Sequence, residues 1–353
     1  MIIKNNNNRL IEIMRNENIP EEMINDVIDS GYTIVHSLDP FTGTNYEVVG
    51  DGMYGNKQFS GHLDIQEFIH YIRGNNTFEK LTQFNEYTVK NYNEIESILS
   101  ESKRRHYIDK GRLSFRGQTS QYYFQRKIPS PVRANDDGKE LSIFPGLYRQ
   151  SNHNYSFNIK PEEERSFVKF LNELEPNNPR IYLDSNYSYD LMRTEQHYAT
   201  QTSGLDISFD IETAIFFATH KLNYKSDGKA YHTKVSKGEH QGVIYGFCFR
   251  DPSVPKTEFL IKDFDLFKTY NPERILRQDC GLPLIMDNER NIAITDLDFI
   301  IRLDADFDYN GKKQPAYMFP NTKEDLFYGK LLELKDKYPN KLPNILEYVG
   351  SRV

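Results

Sequence analysis

Asp210-Ile211-Glu212-Thr213-Ala214-Ile215-Phe216-Phe217-Ala218-Thr219-His220-Lys221-Leu222 is the clearest helical stretch of the chain. Ile211, Ala214, Ile215, Ala218 and Leu222 fall on one apolar face at the helical period, and Asp210 is placed to accept from the free N–H groups of the first turn. The spacing predicts a helix from about Asp210 to Leu222 with that face against a sheet and Phe216 and Phe217 both in the packing. Downstream, Gly242-Val243-Ile244-Tyr245-Gly246-Phe247-Cys248-Phe249 is a continuous apolar run that predicts a buried strand, and Phe299-Ile300-Ile301-Arg302-Leu303 predicts another. Helices and strands alternate without a regular period, and no internal repeat is present. The expected class is α+β, a mixed α/β fold with a central β-sheet core and flanking helices, rather than a doubly wound sheet.

Working back toward the N-terminus, Leu113 to Phe115 reads as a short strand. Asn93 to about Arg105 reads as one amphipathic helix, because Ile95, Ile98 and Leu99 repeat at i, i+3, i+4. Between the two landmarks, Asp136 to Leu147 reads as a loop. Glu162 to Leu174 has helical spacing through Phe167, Phe170, Leu171 and Leu174, and Asn177-Asn178-Pro179 breaks it.

Residues 1–90 read as a separate small module. Ile19-Pro20-Glu21-Glu22 is a helix start, followed by Met23, Ile24, Val27 and Ile28 at helical spacing and by Gly31 as a stop. Phe41 to Gly61 predicts loops and short strands, and Asp64 to Ile69 a second helix. The expected division is 1–90, a central domain over 91–330, and a C-terminal helix or tail over 331–353.

Composition bounds the function classes. A chain of 353 residues can bury a substantial core, and its 13% aromatic content offsets a polar mean hydropathy of -0.70. The longest apolar runs fall far short of the ~20 residues a membrane-spanning helix needs. Met1-Ile2-Ile3-Lys4 followed by Asn5 to Asn8 lacks the pattern of a secretory signal, so a cytoplasmic location is expected. The only cysteines are Cys248 and Cys280, too few for a disulfide framework or an all-cysteine zinc site. His232 and His240 have no companion ligand at a metal-binding spacing, so no metal is expected. With a net charge of -7, no global attraction to nucleic acid or anionic lipid is implied. Lys103-Arg104-Arg105-His106 reads as a solvated helix end. Neither a phosphate-binding glycine loop nor a nucleophile elbow occurs.

Phe115-Arg116-Gly117-Gln118 ends its strand with an arginine and a residue that lets the chain turn. Gln196-His197-Tyr198, Thr202, Leu205-Asp206-Ile207-Ser208 and Ala214-Ile215-Phe216-Phe217-Ala218 follow. Together these segments resemble the FRG domain family, in which a Gln-His-Tyr-Gly segment leads through Thr-Arg-Leu-Leu-Asp to an Ala-x-x-Phe-Ala helix. Glu162 to Phe170, Arg274-Ile275-Leu276-Arg277-Gln278-Asp279-Cys280-Gly281 and Phe319-Pro320 extend the likeness over about two thirds of the chain. Ala199 stands where the family has Gly, Gln201 where it has Pro, and Ser203-Gly204 where it has Arg-Leu. The family's loop arginine therefore has no counterpart here.

The arrangement also resembles, more weakly, the Arg, Ser and Glu scheme of ADP-ribosyltransferases. That resemblance implies NAD as substrate and a bacterial toxin or antiviral defence effector with a protein or nucleic-acid acceptor. Arg116 would hold a phosphate or ribose with its guanidinium fork. Asp206 and Ser208 would line the strand beside the nicotinamide, and Glu273 or Gln278 would stand near the ribose, where a carboxylate stabilises the cationic sugar. Gln118, His197 and Tyr198 would complete the binding surface. The residues themselves leave a second class open: a non-catalytic recognition domain that binds a ligand or protein in the Arg116 pocket. Arg116 and Asp206 also fit a buried ion pair, His197 a hydrogen-bonded core histidine, and Glu273 an exposed charge.

Overall fold

The computed structural model describes residues 7–38, 42–54, 62–75, 78–80, 84–109, 113–146, 195–200, 202, 204–248, 272–282, 291–293, 297–340 and 342–352. In chain order the elements begin with α1 (Asn7–Asn16), α2 (Glu21–Asp29), β1 (Tyr32–Leu38), β2 (Asn45–Asp51), β3 (His62–Leu63), α3 (Ile65–Ile72) and β4 (Asn85–Val89). They continue with α4 (Tyr92–Leu99), α5 (Ser102–Asp109), β5 (Leu113–Gln118), β6 (Tyr123–Phe124), β7 (Glu140–Leu141), β8 (Ile207–Ser208), α6 (Ile211–Thr219), β9 (His220–Tyr224) and β10 (Ala230–Lys234). The last are β11 (Val243–Cys248), α7 (Glu273–Arg277), β12 (Cys280–Gly281), β13 (Leu297–Leu303), α8 (Pro315–Met318) and α9 (Leu326–Lys337). The fold is α+β. The helix expected over Glu162 to Leu174, with its breaker, lies outside the described residues.

Six strands form the central sheet in the order β12-β8-β5-β11-β13-β4. Every residue of β11 is buried, as its unbroken apolar run requires, and it pairs antiparallel with β5 on one side and β13 on the other. β4 joins at the edge, parallel to β13. One face of the sheet packs Phe115, Ile244 and Ile301 against α4 and α6 through Ile95, Ile98, Ala214, Ile215 and Ala218. The other face packs Tyr245, Phe247 and Ile300 against Leu205, Ile207, Phe124, Phe144 and Tyr54.

Two glycines set how closely α6 approaches. A Cβ on Gly117 would lie 1.7 Å from the Ala214 carbonyl oxygen, and one on Gly242 would lie 2.3 Å from that of Ala218. The helix therefore rests on strand backbone at both points, which any larger residue would prevent. Asp210 caps it, accepting from the N–H groups of Glu212 at 3.1 Å and Thr213 at 3.2 Å.

The helix stops earlier than its periodicity predicts. Thr219 turns its hydroxyl back to the Ile215 carbonyl at 2.7 Å, and His220 is already extended and begins β9. Leu222 thus belongs to the β9–β10 hairpin, opposite His232. The signal for this turn was Asp227-Gly228, with Gly228 at φ +81. The helix expected from Asn93 to Arg105 is two helices separated at Ser100, which caps α4 and donates its hydroxyl to the Ser97 carbonyl. Arg104 is not a solvated end: it is 4% exposed, stacks on Phe299 and pairs with Asp298 and Glu101.

Strands β1, β2 and β3 form an antiparallel sheet that shares a core with α1, α2 and α3 through Leu10, Val27, Tyr32, Val49 and Phe68. Ile128 and Val132 enter the same cluster from the following segment. Beside it lies a buried charge network. The Arg126 guanidinium donates to Asp51 (Nη1–Oδ1 2.9 Å), to Glu140 (Nη2–Oε2 2.9 Å) and to the Ser30 carbonyl (2.8 Å). Two carboxylates and a carbonyl thus satisfy a cation whose side chain has no exposure, the condition under which a buried charge is tolerated.

The two phenylalanines of α6 part company. Phe216 is 2% exposed, whereas Phe217 is half-buried and borders a cleft. Chemical denaturation of Phe216→Ala is expected to show a loss of about 3–5 kcal/mol and Phe217→Ala clearly less. Equal losses would show that both rings pack alike.

Candidate functional site

β8 pairs with β5 at one position only, Phe115 opposite Ser208, while β5 stays paired with β11 along its length. Beyond that pair the strands part. The notch is a cleft of about 280 Å³ with Arg116, Gly117 and Gln118 on one lip and Asp206, Ile207 and Ser208 on the other. Its size lies at the lower end of small-ligand pockets.

Six of the residues singled out from sequence line this cleft: Arg116, Gln118, His197, Asp206, Ser208 and Gln278. Arg116 bridges the lips by donating from Nη1 to the backbone carbonyl of Asp206 at 2.6 Å. The contact is not the ion pair that sequence left open, because the Asp206 carboxylate turns to His197 instead, with Nε2–Oδ1 at 3.5 Å. Ser208 is committed to the fold: its hydroxyl donates to the Gln278 carbonyl at 2.7 Å and accepts from the Asp210 N–H at 3.0 Å. Gln278 is buried and donates from Nε2 to the Met318 carbonyl at 3.1 Å. Gln118 is buried with no partner at Oε1.

Two expected members stand elsewhere. Tyr198 has no exposure, packs on Phe327 and Tyr328, and donates its hydroxyl to Asp325 at 2.6 Å. Asp325 is the N-cap of α9 and also accepts from the Tyr328 N–H at 2.9 Å and the Arg274 N–H at 3.1 Å. Tyr198 thus anchors the C-terminal helix. Glu273 opens α7 and pairs with Arg277 one turn on at 3.2 Å, outside the lining of the cleft. The acid among the described lining residues is Asp206.

Sequence reasoning missed three features. The first is an aromatic wall at the end of the cleft, where His232 stacks on Phe319 with centroids 4.4 Å apart and Phe319 on Tyr348 at 4.4 Å. These residues come from a hairpin, the segment after α8 and the C-terminal segment, so no local pattern links them. The second is Arg274, fully buried among Tyr198, Tyr328, Tyr348 and Phe319 with its guanidinium carbon 4.3–5.4 Å from their centroids. Its Nη1 donates to the His197 carbonyl at 2.8 Å and fixes the segment that carries that histidine. The third is Cys280, which sits opposite Ser208 in β12 and brings its sulfur within 4.8 Å of the His197 and Asp206 ligand atoms.

Burial works against the His197 imidazolium, but the neighbouring Cys280 sulfur and Asp206 carboxylate outweigh it and push its pKa up to about 10. Burial also holds the Tyr245 hydroxyl, opposite Arg116 in the sheet, well above the usual phenol range. No protein-family model matches the chain, and no curated protein or solved structure matches it either. The likeness to the FRG family therefore rests on the residues quoted for it. No helix among the described residues is long and apolar enough to cross a membrane.

The aromatic wall is acid-sensitive. Burial pushes the His232 imidazole down to about 4, with His220 and Arg274 adding repulsion. A histidine in the unfolded chain titrates near ~6.5, so between ~6.5 and 4 the unfolded state binds the extra proton; the stability present above ~6.5 is lost as pH falls through 4. His232→Phe keeps the stack and removes the titration. Its melting temperature is expected to drop less than wild type between pH 7 and 4.5, and an equal drop would show that His232 is solvated.

Proposed function

We propose that the cleft binds a phosphate-bearing nucleotide with a flat aromatic ring, with NAD the candidate substrate, and that the protein cleaves its nicotinamide–ribose bond. The observation that carries this reading is the convergence of a guanidinium, a carboxylate and a wall of stacked rings in one notch at the parting of two strands. Arg116 is the phosphate anchor, suited by its planar fork to two-point contact with an anion. The wall of Phe319, His232 and Tyr348 offers faces for a planar ring. Asp206 supplies the negative charge beside the sugar: as the glycosidic bond breaks, the electron pair leaves with nicotinamide and the ribose becomes cationic. Water or a protein or nucleic-acid acceptor then takes the ADP-ribose. The FRG resemblance extends this proposal to a toxin or antiviral defence effector in the bacterial cytoplasm.

A second reading is favoured by one observation. Glu273, the carboxylate expected beside the ribose, is paired with Arg277 outside the cleft. A cleft with one acid among its described lining residues suits recognition of the same ligand without turnover.

Incubating the full chain with NAD and measuring free nicotinamide, alongside NAD-induced shifts in melting temperature, separates the readings. Catalysis requires release by the wild type, a loss of at least about a hundredfold in Arg116→Ala and Asp206→Asn, and no effect of Glu273→Gln. A melting shift in the wild type without nicotinamide release assigns recognition. Neither release nor shift would overturn NAD as the ligand.

A further inference from the structure

His197, Asp206 and Cys280 offer one imidazole, one carboxylate and one thiol whose ligand atoms all lie within 4.8 Å of one another. His197 is 7% exposed and Cys280 is 3% exposed. Neither Nε2 of His197 nor Oδ1 of Asp206 has a hydrogen-bond partner, although both atoms are buried and stand 3.5 Å apart. Their mutual contact is long for a hydrogen bond, and buried polar atoms in folded proteins are rarely left without a well-formed one.

We infer that these three side chains form a zinc site whose fourth position opens to the cleft. A mixed nitrogen, oxygen and sulfur set suits zinc, whereas calcium and magnesium take oxygen ligands. Tetrahedral zinc with bonds of about 2.0–2.3 Å places its ligand atoms roughly 3.3–3.8 Å apart. The His197–Asp206 spacing already meets that, and the Cys280 sulfur needs to close by no more than about an ångström to do so. His197 and Asp206 line the cleft, so a fourth ligand reaches the metal from that side, as in open rather than closed zinc sites.

The supports around the three residues are already in place. Arg274 holds the His197 carbonyl at 2.8 Å, Arg116 holds the Asp206 carbonyl at 2.6 Å, and Cys280 is fixed by its pairing with Ser208. Outer contacts of this kind orient metal ligands. The fourth ligand is water or an oxygen of an anionic ligand such as a phosphate. The site goes beyond the NAD reading and does not depend on it, since coordination through Oδ1 leaves the second oxygen of Asp206 outside the metal sphere.

Chelator-treated full-length protein titrated with cobalt(II) and then zinc tests the site without any activity assay. The expected result is one equivalent of cobalt bound with tetrahedral visible bands and a thiolate-to-cobalt absorption in the near ultraviolet, displaced by zinc, together with a zinc-dependent rise in melting temperature. Cys280→Ser exchanges a single atom and is expected to lose the thiolate band and weaken zinc binding more than about tenfold. His197→Ala is expected to bind none, and if it does not fold the serine variant alone decides. No stoichiometric uptake by the wild type, or a cobalt spectrum that Cys280→Ser leaves unchanged, overturns the inference.

Discussion

The seat of α6 on Gly117 governs what lies around it. With no room for a Cβ between the strand and the Ala214 carbonyl, the helix rests directly on β5, and Gly242 repeats the contact under Ala218. Asp210, which caps the helix, therefore lies close to the strand, and the four residues before it have little freedom. Ile207 and Ser208 among them form β8, which touches β5 at Phe115 and then diverges. The cleft is the consequence, and Arg116, the residue before the constraining glycine, is the side chain that spans it.

Buried cations hold the remaining walls. Arg274 has four aromatic rings around it, and a cation over such a face gains about 2 kcal/mol where water is excluded. Its Nε and Nη2 have no hydrogen-bond acceptor, so the rings are what offset the burial of those N–H groups. By joining the His197 carbonyl to Tyr198, Tyr328 and Tyr348, Arg274 makes the C-terminal segment part of the cleft wall. Arg126 does the equivalent further away with two carboxylates, linking β2 to β7. Such networks cost several kcal/mol to break, because one partner is left charged and buried.

The sheet strands β11 and β13 and the start of α6 were legible because each is a local pattern: an apolar run, or an apolar stripe with a cap. Of the eight residues named from sequence for a site, six line one cleft, and five of those stand next to such patterns: Arg116 and Gln118 at the end of β5, Asp206 and Ser208 at β8, and Gln278 after α7. Glu273 and Tyr198 lie outside that lining. α7 pairs Glu273 with its own next turn, and Asp325 draws Tyr198 into the C-terminal core although its neighbours His197 and Ala199 border the cleft. The aromatic wall and the approach of Cys280 to His197 were invisible because they join segments from distant parts of the chain. His232 and Cys280 each read as isolated in sequence, and only the β9–β10 hairpin and the β12–β8 pairing give them neighbours.

Arg116 lines the cleft and donates to the Asp206 carbonyl, and the functional proposal turns on this guanidinium meeting an anion. Side-chain NMR of isotope-labelled arginine follows it directly, with the Arg116 Nε–H signal assigned by its disappearance in Arg116→Lys. On titration with NAD the Arg116 signal is expected to shift saturably, while Arg126, buried among Asp51, Glu140 and Ser30, stays fixed. An Arg116 signal that does not move while NAD binds, or that moves no more than that of Arg126, would contradict the assignment of this cleft as the nucleotide site.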